Sequence, residues 1–92
     1  MILRILEEGQ YEVPGEVVDA LNPLDEDLVA AIEAGDQARF QRSLAALLER
    51  VRESGSRMAD DYLGPSDLVL PPTDASLEEV AEMLSEEGLI PG

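Results

Sequence analysis

A chain of 92 residues fits a single domain, 1–92, and its 45% hydrophobic content, almost all of it aliphatic, is enough for one packed core. Twenty-one acidic residues against six arginines leave a net charge of −15, which repels nucleic acid and anionic lipid headgroups. The absence of cysteine, histidine and lysine excludes disulfides, thiolate or imidazole catalysis, Schiff-base chemistry, a P-loop and the usual zinc ligands.

Ile2 to Leu6 reads as a strand with apolar groups on both faces, which predicts cover on both sides. Glu7-Glu8-Gly9 is a turn, with Gly9 free to take positive φ. The alternating Gln10, Tyr11, Glu12 and Val13 complete a β-hairpin that ends at Pro14-Gly15. Glu16 to Leu21 is a short helix, interrupted at Asn22-Pro23, where Asn22 suits an N-cap and Pro23 a first helical position. A second helix then carries Leu24, Leu28, Ala31 and Ile32 and closes at Gly35. Asp36 caps a third, whose stripe of Phe40, Leu44, Leu47, Leu48 and Val51 is the clearest in the chain; Gly55 ends it.

Residues 55–66 read as a loop. Asp67 to Leu70 is a short strand stopped by Pro71-Pro72, which fits an edge position. Ser76-Leu77-Glu78-Glu79 is a capping box. The helix behind it turns Leu77, Val80, Ala81 and Leu84 inward and stops at Gly88, and the apolar tail Leu89-Ile90 folds back on the body. The expectation is an α+β fold of order ββ-α-α-α-β-α: a hairpin plus a third short strand, covered by about four helices. No apolar run approaches the ~20 residues of a membrane span, and the N-terminus lacks the basic start of a signal peptide. A cytoplasmic protein is expected.

The charge is not uniform. Residues 1–38 carry a net −9, residues 39–57 a net +3 from five arginines, and residues 58–92 a net −9. The basic segment reads first as an internal neutraliser of its acidic neighbours, and second as a docking face for an acidic partner or a lipid phosphate.

Three stretches, LEEGQYEVP (6–14), DDYLGPSDLVLPPTDASLEEV (60–80) and EEGLIPG (86–92), together resemble the PspA-associated family, PspAA, found beside phage shock protein A homologues in actinobacteria and archaea. The resemblance spans essentially the whole chain and contains no catalytic signature. It implies an accessory or regulatory part in an envelope-stress response, with a PspA-like coiled-coil protein as partner and a peripheral link to the membrane through that partner. It supplies no binding residues.

The residues themselves offer several constellations. Tyr62, Gly64, Pro65 and Asp67 form a turn-rich loop suited to recognition, although Tyr62 and Leu63 also fit as a plug in the core. Tyr11 reads as a half-buried hairpin residue. Glu78, Glu79 and Glu82 give an acidic helix face for basic coiled-coil residues, as do the acids of residues 16–36. The hairpin edge is a further surface, able to add a partner strand. Asp60, Asp61, Asp67 and Asp74 gather carboxylates of the kind that hold a hard cation, but the spacing matches no EF-hand, and turn or helix capping explains Asp67 and Asp74 as well. No enzyme activity and no cofactor are expected. The leading expectation is a protein-interaction module; the alternatives are a homodimeric structural domain, joined through Ile2 and Leu6 or Leu89 and Ile90, and a ligand- or cation-sensing module built on the aspartates.

Overall fold

The computed structural model describes residues 1–59, 64 and 66–84. In chain order the elements are β1 (Ile2–Ile5), β2 (Gly9–Glu12), α1 (Gly15–Ala34), α2 (Gln37–Ser54), β3 (Ser56–Arg57), β4 (Leu68–Leu70) and α3 (Leu77–Met83). The α+β class is as expected. The detail differs: the sheet has four strands in the order β3-β2-β1-β4, and three helices lie among the described residues rather than four.

The missing helix boundary is at Asn22-Pro23. An interior proline removes one backbone hydrogen bond and crowds the preceding turn, which ordinarily breaks a helix. Here α1 runs straight through Pro23 for 20 residues. Val18, Leu21, Asp25, Leu28 and Ala31 form one buried stripe across the proline, so a break would uncover both halves. Pro23 and Asp19, whose carbonyl loses its donor, are both exposed, so water can satisfy that carbonyl.

Gly35 closes α1 in the left-handed conformation at φ 67°, where a Cβ is strained, and Asp36 accepts from the Arg39 amide to start α2. The resulting helical hairpin is bonded through its own two-residue link, with the Asp36 amide donating to the Ala31 carbonyl. Phe40, Leu44, Leu47, Leu48 and Val51 are all buried, as their spacing predicts.

β1 is central in the sheet. It pairs antiparallel with β2 from Ile2↔Glu12 to Ile5↔Gly9, and parallel with β4 from Leu3↔Leu68 to Ile5↔Leu70. β3, two residues inside the stretch read as loop, pairs with the far side of β2. The hairpin therefore has no open edge, which corrects the expectation of an edge available to a partner strand. β4 holds the edge position predicted for it.

Only one face of β1 is covered. Leu3 and Ile5 join Tyr11, Val13 and Leu70 in the core against the helices, whereas Arg4 and Leu6 stay exposed and Ile2 half-exposed. The two-sided cover expected from the apolar run is absent at those positions. Gln10, beside Arg4 on the outer face, is buried because Gly64 and Ser66 cross it and accept hydrogen bonds from its amide. Tyr11 is buried rather than half-buried. α3 is shorter than expected: it ends at Met83, with Leu84 extended, and Ala81 is exposed instead of facing inward. A helix reaching 87 would set Glu86 and Glu87 against its own negative end. The proposed stop at Gly88 and the tail Leu89-Ile90 lie outside the described residues.

Candidate functional site

The densest polar construction sits at the tip of the β1–β2 hairpin. Residues Ile5 to Glu8 form a turn closed by a hydrogen bond from the Glu8 amide to the Ile5 carbonyl, at 3.0 Å. Its third residue, Glu7, has φ 67°, a position that glycine or asparagine ordinarily fills. A side chain with a Cβ is held there at a cost of about 1–2 kcal/mol.

The turn aims Glu8 back toward the body. Arg52, in the last turn of α2, donates from Nε and Nη2 to the two carboxylate oxygens, the shortest contact being 2.6 Å. The Tyr11 hydroxyl donates to Glu8 Oε2 at 2.7 Å, and Arg57 donates to the Glu8 backbone carbonyl at 3.0 Å. Arg52 Nη2 also donates to the Thr73 hydroxyl at 2.9 Å, and its Nη1 lies 3.5 Å from Glu49. One guanidinium thus ties the hairpin tip to the turn between β4 and α3. The Arg52 hydrogen bonds hold the Glu8 carboxyl down, from its ordinary 4.5 to about 2, against a smaller opposing effect of burial. The pairing raises Arg52 in turn. Burial, reinforced by the hydrogen bond to Glu8, pushes the Tyr11 phenol up.

A second feature is the outer ridge of α1. Glu16, Asp19, Glu26, Asp27 and Glu33 are exposed and lie opposite the buried stripe, and the helix contains no basic residue. Only Asp27 has a cation nearby among the described residues, Arg39 at 3.9 Å. Among the described residues the arginine segment neutralises acidic neighbours closely at Arg52 and Glu8, and more loosely at Arg39 and Asp27. Asp25, on the buried side, is 3% exposed and belongs to the core.

Of the residues singled out from sequence, the described ones lie on separate elements, Gly64 and Asp67 ahead of β4 and the three glutamates on α3. Asp67 accepts from the Ile2 amide through Oδ2 at 2.8 Å, and its own amide donates to the Ile2 carbonyl, so it fastens β4 to β1. Gly64 supplies a carbonyl to Gln10. Tyr62 and Pro65 lie outside the described residues. Glu79 is the fourth member of a capping box: its amide donates to Ser76 Oγ at 3.1 Å, and that hydroxyl lies 3.2 Å from Glu79 Oε1. Glu78 and Glu82 are exposed on α3. Of the aspartates, Asp60 and Asp61 lie outside the described residues, Asp67 is engaged as above, and Asp74 sits exposed in the turn before α3. No three carboxylates converge on a common metal position among the described residues. The Glu8–Arg52 pair was missed; a charged residue beside a turn glycine and an arginine at a helix end were the only signals, and nothing local joins residues 44 apart.

The arrangement defines an acidic α+β domain whose polar groups brace the fold or display charge. Over residues 1–92 the chain matches the model of the PspA-associated protein family, and it belongs to that family. Neither the curated proteins nor the solved structures compared with it give a match. No helix among the described residues is long and apolar enough to cross a membrane.

Proposed function

We propose that this domain is a non-catalytic accessory module that binds a PspA-like coiled-coil protein and adjusts its part in an envelope-stress response. The observation that carries the proposal is membership of the PspA-associated family across the whole chain. The surface is consistent with it. A helical ridge of five carboxylates, about 26 Å long at 1.5 Å per residue from Glu16 to Glu33, suits a basic helix laid alongside.

The test is calorimetric titration of the domain into a purified PspA-type protein at low and at high salt. Binding that weakens steeply as salt screens the ridge is the expected result, and reversal of Glu26 and Asp27 to lysine should abolish that salt dependence. Lack of binding at low salt would refute the role. Binding indifferent to salt would refute the charged interface.

A further inference from the structure

The turn between β4 and α3 lies against the hairpin tip, and between them is an open cleft of about 290 Å³. Leu6 and Pro72 give it apolar surface; Glu7, Glu8, Thr73 and Asp74 complete its lining. Leu6 is 36% exposed. The two walls are cross-braced, because Arg52 Nη2 reaches Glu8 Oε1 at 2.6 Å on one side and the Thr73 hydroxyl at 2.9 Å on the other. A cleft held this way is largely preformed, and preformed sites lose little entropy on binding.

Its carboxylates are not equivalent. Glu8 is used up by Arg52 and Tyr11. Glu7 and Asp74 are exposed and have no ion pair or side-chain hydrogen bond among the described residues. Glu7 is also the residue in the left-handed conformation. Asparagine or glycine would make the same turn with less strain, so the turn geometry does not account for a carboxylate there.

We infer that this cleft is a recognition pocket for a single cationic side chain, an arginine or lysine, presented by the protein partner: the charged head between Glu7 and Asp74, the aliphatic stem over Leu6 and Pro72. The volume is at the lower bound of small-molecule sites, about 300 Å³, and suits a side chain better than a cofactor. Long cationic side chains bury their stems on apolar surface while the head stays polar, which is the division this cleft offers. The α1 ridge attracts a basic partner from a distance; the cleft fixes where it docks.

The inference rests on the proposed partner role, and the experiment separates the two. Glu7→Asn and Asp74→Asn variants are titrated into the same full-length PspA-type protein, and their melting temperatures are recorded alone. Glu7→Asn should melt at or above the wild-type temperature, because asparagine tolerates the left-handed turn, and yet bind about tenfold more weakly. Asp74→Asn should lose a similar factor with its melting temperature unchanged. Wild-type binding with both variants within twofold of it overturns the pocket and leaves the partner role standing. If the wild-type domain itself does not bind, the partner role fails and the pocket with it.

Discussion

Replacing Glu8 with glutamine removes the charge on which Arg52, Tyr11 and Thr73 are organised, with almost no change in shape. The depression of the Glu8 carboxyl from 4.5 to about 2 corresponds to at most about 3–4 kcal/mol, at about 1.4 kcal/mol per tenfold change in proton affinity. Glu8 and Arg52 keep 27% and 28% of their side-chain surface in water, and screening by that water reduces the contribution to about 1–2 kcal/mol. At pH 7 Glu8→Gln should therefore lower the melting temperature by about 4–16 °C, using 4–8 °C per kcal/mol for a domain of this size. The pH dependence has a definite sign. A carboxyl whose folded value is depressed stabilises fully above its unfolded value near 4.5, and that contribution disappears as pH falls toward 2. Thermal melts of both proteins from pH 7 to pH 2 should show the two curves converging in acid, while the other carboxylates, common to both, cancel in the difference. A difference that stays constant with pH, or is absent at pH 7, would refute the brace.

Two further substitutions test the fold. Pro23→Ala restores a backbone donor at an exposed position inside α1 and should stabilise the domain by about 1–3 kcal/mol in urea unfolding, since proline is about 3 kcal/mol worse than alanine in a helix interior. Gly55→Ala would place a methyl group 2.8 Å from the Val51 carbonyl oxygen and 3.0 Å from Val13 Cγ2, so it should destabilise by about 1–3 kcal/mol in the same assay.

What was legible in the sequence was local. The stripe from Phe40 to Val51, the cap at Asp36, the left-handed Gly35 and the Ser76–Glu79 box each follow from residues within a few positions of one another, and all of them are present. The reading failed where distant contacts outweigh local preference. Burial along α1 overrides the Pro23 signal, and Ser56–Arg57 is a strand through its pairing with β2, more than forty residues away. The same division holds for the candidate site. Glu79 takes the capping role its spacing from Ser76 predicts, whereas the bond from the Ile2 amide to Asp67 spans 65 residues and has no local signal. The cleft joins residues near 7 to residues near 73, a proximity that no periodicity encodes.

The parallel pairing of β1 with β4 sets the order in which the domain can assemble. β1 leaves the ribosome before its partner Leu68–Leu70, which follows more than sixty residues later. Until then the hairpin has a bare side and no complete sheet. The α1–α2 pair, joined by two residues, needs only its own sequence and can wait as a preformed platform. Sheet closure is then the slow, late event, and the Arg52 brace between the hairpin tip and Thr73 can form only after it. A nascent chain is consequently unable to display the finished cleft before its synthesis has passed residue 74.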